Sequence, residues 1–556
     1  MKHSKSVVVL ISLFLILSAC KDQKPKPSLA SLNLLRGDLQ LCGDGQFGDV
    51  SFSESCNYET RETFNLAIAL LHSFEYTEAE KAFVQVIDQD SECAMAYWGV
   101  AMSIYHGLWT PPANDVLEKG SKLLKVAEKL PKSKKAAQYL EAIGAFYEDW
   151  ETIDNQTRKE RYAQKMKEMY QENIDDTEVA VFYALALRAS ALPTDKTYKI
   201  QREAGKILDA LFVKEPNHPG IAHYIIHSYD YPELAKLGLN TARRYAEIAP
   251  NSAHAQHMPS HIFTRLGLWE ESISTNINSA ASATCYAESV APGAHWDEEI
   301  HAIGYLVYSY LQTGDNVKAI EQYIYLKSFD EVFPSNFKIA YTAAAIPARI
   351  AMENKNWQDA AIIELPSNLD LAWESFPWQK AIVHFTRAMG SIHTKNLQAA
   401  ENELDVLRSL QKELAEIADG YKANQVGIQI KMAEAWLALA KGNEKDALLS
   451  MEMAVDMEGK TSKHPVTPGE VVPADELYAD MLLRLNKPQK ALEAYELNLQ
   501  RRPNRFNGIY GAAIAAKQSG ENEKATQYFN QLIELTKNSN SNRPEVEEAL
   551  KFIQQS

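Results

Sequence analysis

Cysteine is scarce, five in 556 residues, and no paired C-x-x-C occurs, which leaves no zinc module of the paired-thiolate kind. H-E-x-x-H and G-x-S-x-G are absent too, removing the zincin helix and the serine-hydrolase elbow. Strand-like alternation is missing, so helical spacing carries nearly the whole chain beyond residue 60. Lysine and arginine form no cluster, and 57 of them face 73 acidic residues for a net charge of −16. That balance argues against nucleic-acid backbones and anionic membrane surfaces as partners. After the N-terminus no apolar run is long enough to span a bilayer, and the rest is expected to be soluble outside the cytoplasm. The 46% apolar content is that of a folded chain.

What is present starts at the N-terminus. Lys2 and Lys5 precede an apolar run, Val7 to Leu17, and then Leu-Ser-Ala-Cys. This is the build of a secretory signal, and the cysteine makes it resemble a bacterial lipoprotein signal. The resemblance implies a signal peptide over 1–19, lipidation at Cys20, a tether over 20–33 and a lipid anchor in the bacterial envelope, at the outer membrane. Residues 34–59 read as a loop segment in which Cys42 and Cys56 are expected to pair, with Cys93 and Cys285 as buried thiols. Gly43, Gly45 and Gly48 form a G-x-G-x-x-G without a preceding strand, which is no nucleotide site.

A period of 34 runs through the chain. Pro216 and Pro250, Tyr229 and Phe263, Ala491 and Ala525, and Tyr495 and Phe529 are each 34 apart. "TFNLAIALLHSFEYTEAEKAFVQVI" (63–87), "DMLLRLNKPQKALEAYELNLQRRPN" (480–504) and "YGAAIAAKQSGENEKATQYFNQLIEL" (510–535) carry the small-residue and aromatic pattern of paired helices. The chain therefore resembles the tetratricopeptide-repeat (TPR) superfamily, and spans such as "HPGIAHYIIHSYD" resemble a poorly characterised, His-rich bacterial group within it. That implies an all-α, right-handed α-solenoid of about 10–12 helical hairpins. The arrays are expected at 60–290, 291–458 and 459–540, with 541–556 as a tail. Inserts interrupt them at 107–135, 282–299 and 459–473, the last a Pro-rich stretch placed to lie over the groove.

Eight of the fourteen histidines fall within residues 218–301. His223 and His227 recur 34 residues on as His257 and His261, at repeat positions 5 and 9; His254 and His301 take position 2. In the family these positions face the concave groove. His223 and His227, at i and i+4, share one helix face, and two such pairs on adjacent helices can converge on one ion. Neutral imidazoles suit Zn, Cu or Fe, so His223, His227, His254, His257, His261 and His301 are the candidate ligands. Met258 offers a soft donor, and Asp230, Asp297, Glu298 and Glu299 are candidates to orient a histidine or act as a base. Tyr224, Arg265, His295, Glu476 and Asp480 are candidate ligand-binding residues. Pro259 inside the second His helix predicts a helix start near Met258, with His254 and His257 on the entering loop.

Fold analogy favours a scaffold that binds a protein or peptide partner. Histidine stands where the peptide-carboxylate clamp of such repeats needs Lys, Asn and Arg, so that clamp is not expected. Three functions remain open: a metal-binding, membrane-anchored scaffold, a metal-dependent hydrolase or oxidoreductase on the same histidines, and a metal-free scaffold.

Overall fold

A computed structural model describes residues 29, 31–54, 56–108 and 111–555. The signal peptide, Cys20 and most of the tether lie outside the described residues. From Arg61 to Thr536 the chain is a succession of antiparallel helical hairpins, each packed on the next. Twelve can be counted among the described residues, from Arg61–His72 with Tyr76–Gln89 to Phe506–Gln518 with Asn522–Thr536. This is the expected TPR-type α-solenoid. Among the described residues its apolar interior forms four clusters along the chain rather than one globular core, as a neighbour-on-neighbour stack requires.

The repeat is built from local signals. Asp154, Asp176 and Ser252 accept backbone N–H groups at the starts of their helices, satisfying donors a helix leaves open. The turn inside a hairpin needs a left-handed residue, supplied by Gly267, Gly314, Gly442 and Gly520. Phe74 occupies that place in the first hairpin, at φ +59°, a conformation that costs a side-chain-bearing residue about 1–2 kcal/mol.

Several expectations are corrected. Cys42 pairs with Cys285 and Cys56 with Cys93, so the 34–59 segment is stitched to the solenoid twice instead of closing on itself. Its backbone is tied there as well, Leu35 and Gln40 donating to Glu80 and Glu78. The insert 107–135 contains the helix Asn114–Ala127, and the expected tail forms Pro544–Gln555, which packs Phe552 against Phe529 at 4.7 Å. His254 and His257 lie in a short helix, Ala253–His257, instead of a loop; Pro259 is the first residue of the next, Pro259–Leu266. No helix among the described residues is long and apolar enough to cross a membrane.

The concave face is not an open groove. The C-terminal hairpins return to the middle of the chain, where Trp269 donates to the Asn504 carbonyl (2.7 Å) and the wholly buried Arg505 binds Glu353 and Glu476. The Pro-rich stretch 459–473 fills the space between. Lys463 reaches Asp230, the Tyr305 hydroxyl donates to the Val466 carbonyl, and Arg349 holds the carbonyls of Gly469 and Glu470.

Candidate metal centre

The first-helix segments of two consecutive repeats, Pro219–Tyr229 and then Ala253–His257 with Pro259–Leu266, deliver five histidines, and the next, Asp297–Gln312, delivers His301. The register of 34 places them in line, and the filling of the concavity buries them: none of the six exceeds 6% exposure. They form two triads, His223/His227/His254 and His257/His261/His301, whose nitrogens within each triad lie within 4.8 Å of one another. The expected single convergence of two pairs is thus replaced by two adjacent threesomes, because His254 and His301 each complete one.

Hydrogen bonds fix which nitrogen faces inward. The Asn276 amide donates to the Ser272 carbonyl (2.7 Å), so its oxygen accepts from His257 Nδ1–H (2.7 Å). Asp230 accepts from His261 Nδ1–H (3.0 Å), and the His72 carbonyl from His223 Nδ1–H (2.6 Å). With Nδ1 protonated, the Nε2 of a neutral imidazole is a bare lone pair. His223 Nε2 is buried with no hydrogen-bond partner among the described residues. His257 Nε2 and His261 Nε2 face each other at 3.1 Å. Two nitrogens bound to one ion at about 2.0–2.1 Å stand about 2.9–3.4 Å apart for bond angles between right and tetrahedral.

The electrostatics keep five of these rings, His223, His227, His257, His261 and His301, neutral. Burial pushes His223, His227, His257 and His301 well below the ordinary histidine value, and neighbouring imidazoles push all four further. His261 falls to about 4, burial outweighing its bond to Asp230. Burial raises the Asp230 carboxyl, but Lys463, Arg265 and His261 together hold it well below the carboxylate range. Neutral imidazole is the ligating form, and the carboxylate behind His261 orients it as a supporting partner does at metal sites. The donors fit a borderline transition metal such as Zn, Cu or Fe, and three nitrogens leave a position open.

A third group, His72, Glu178 and His218, brings its ligand atoms equally close, within 4.8 Å of one another. Here the chemistry differs. Glu178 is ionised, its carboxyl held down by both histidines against the upward push of burial. It therefore only accepts, from His72 Nε2–H and His218 Nε2–H, each at 3.0 Å. The other nitrogens accept from the Tyr224 hydroxyl (3.0 Å) and the Ile221 amide (3.3 Å). Both imidazole lone pairs are used, and this group is a hydrogen-bonded strut.

The remaining candidates divide. Tyr224 belongs to the strut and packs its ring on His223, and Arg265 grips Asp230 at 2.8 Å. His295 bonds Glu299 and stacks on Phe329, outside both triads. Glu476 is the partner of Arg505, and Asp480 bonds Lys355 and Tyr495; neither reaches the histidines. Met258 is fully buried core. His72, Glu178, Asn276 and Lys463 escaped sequence reasoning, since polar residues far apart in the chain announce no pairing. The one available signal was Lys463's place in the Pro-rich stretch.

No protein-family model matches the chain, and no curated protein sequence matches it either. Among solved structures it is similar to human IFIT1, determined as a dimer with PPP-AAAA, at 13% identity and a TM-score of 0.38 over 84% of this chain and 94% of that one. It is also similar to the APC/C hetero-tetramer Cut9-Hcn1, at 11% identity and 0.33, over 88% and 90%. The likeness goes no further than helical-repeat architecture.

Proposed function

We propose that this TPR-type solenoid binds transition-metal ions at its two histidine triads and presents them within a scaffold tethered to the bacterial envelope through lipidated Cys20. One observation carries the metal reading. Two buried imidazoles, both already donating through Nδ1, aim lone pairs at each other across 3.1 Å. Lone pairs so placed repel unless a cation lies between them, and burial disfavours the proton as that cation. The open position at each three-nitrogen site favours a site that does chemistry on a bound ligand over closed structural ligation. Two disulfides fit an oxidising compartment, in keeping with the envelope address.

The test is elemental analysis of the purified full chain after reconstitution with Zn, Cu or Fe. His257→Ala is expected to remove the metal of one triad, His223→Ala that of the other, and His218→Phe neither. No bound metal in the wild-type chain sinks the reading and leaves a metal-free scaffold.

A further inference from the structure

Where the Pro-rich stretch meets the helices Pro377–His393 and Gly420–Ala440, a cavity of about 40 Å³ remains. A water needs about 10–15 Å³ of such space, so this cavity has room for about three or four heavy atoms. Its wall is aromatic. Trp378 stands 5.7 Å from Tyr341 and 6.1 Å from Tyr421, at 89° to the latter, and all three line the cavity. Trp378 and Tyr341 are buried, whereas Tyr421 and Glu470, also in the wall, are half-buried and mark its mouth.

Three features of this wall call for a cation that donates hydrogen bonds. Gln429 lines the cavity at only 9% exposure, and its Oε1 is buried with no hydrogen-bond partner among the described residues. An acceptor left so is costly unless a donor reaches it. Glu458 and Glu470, both in the wall, share the guanidinium of Arg502 at 2.7 and 3.2 Å. Asp475 draws on the same Arg502 at 3.4 Å and on Arg501 at 3.0 Å. Three carboxyl groups thus face two guanidiniums. Burial pushes the Glu458 carboxyl up against the pull of Arg502, and Glu470 and Asp475 add to the push. The third feature is the rings, whose faces attract a cation that has shed its water. Lys463, the cation in the wall, spends its ammonium on Asp230 at 3.1 Å.

We infer that this cavity binds a guanidinium group, with Gln429 and Glu470 accepting its N–H bonds and the rings of Trp378 and Tyr421 against it. A guanidinium, about four heavy atoms, matches the room, and it is planar, weakly hydrated and suited to aromatic faces and carboxylates. The site is separate from the histidine triads and stands without the metal reading. The test is calorimetric titration of the full chain with methylguanidinium, with a blocked Gly-Arg-Gly peptide, and with the same peptide carrying citrulline, the neutral isostere. The two cationic probes are expected to bind one to one, and the tighter of them tells a free guanidinium from an arginine side chain as the source. The citrulline peptide is expected not to bind. Losing a hydrogen bond to a charged group weakens affinity by about tenfold or more, so Gln429→Leu and Glu470→Gln are expected to show that loss. Glu470 is half-buried, so Glu470→Gln is suited to keep the fold if Gln429→Leu does not. Failure of both cationic probes to bind overturns the inference. Equal binding of the citrulline peptide overturns it too, as does wild-type affinity in the Glu470→Gln chain.

Discussion

His72, Glu178 and His218 meet as closely as His257, His261 and His301 do, and both groups are buried. They differ in where the protons stand. In the first group an ionised carboxylate draws both Nε2–H bonds inward, and outer donors occupy the remaining lone pairs. In the second, the acceptors Asp230 and Asn276 stand behind the rings, so the protons point out and the lone pairs point in. Proximity and burial are alike, and the residue types differ by one carboxylate. The position of the acceptor decides whether three close ligand atoms spend their lone pairs on protons, as in the strut, or leave them for the proposed ion.

The comparison breaks most sharply at Glu178. Glu178→Leu leaves two buried N–H donors without an acceptor and is expected to cost about 3 kcal/mol or more in urea unfolding, with metal content unchanged. Loss of metal in that variant would join the strut to the ion site. Metal addition should do the reverse. At about a hundredfold excess over Kd, a bound ion adds about 2.7 kcal/mol per site to unfolding stability; His257→Ala should keep only one site's share, and equal stabilisation of both chains would contradict the assignment.

Asp230→Asn weakens the support behind His261 and is expected to lower metal affinity about 10–100-fold, read by competition with a chelating dye, while His218→Phe leaves affinity alone. The last effect is on pH. His261 has a folded value of about 4, below the ordinary 6.5, so unfolding takes up a proton between those values. Stability of the metal-free chain should fall as pH drops from about 6.5 towards 4, by about 1.4 kcal/mol per pH unit for this group. His261→Gln should flatten that slope by one proton, and an unchanged slope would show that the ring is already charged in the fold.

Much of this was legible in the chain. The recurrence of His223 and His227 as His257 and His261, in register with Pro216 and Pro250, placed four histidines on neighbouring helices by the repeat alone. His254 and His301 belonged to the set for the same reason. The disulfides were not legible, because Cys42 finds Cys285 across 243 residues of solenoid, and sequence nearness favoured Cys56. Glu476 and Asp480 sat at groove positions, yet the superhelix carries them to Arg505, Lys355 and Tyr495 instead.

The sequence by itself determined the repeat, the all-α class and the clustering of histidines, since each follows from periodicity along one chain. Tertiary structure decided that the groove is filled, that six histidines divide three and three, and which nitrogen of each anchored ring faces inward. Those outcomes rest on acceptors contributed from elsewhere in the chain: the His72 carbonyl for His223, Asn276 for His257, and Asp230, itself pinned by Lys463, for His261. A hydrogen bond to a buried ring is set by distance in space, and no spacing along the sequence encodes it.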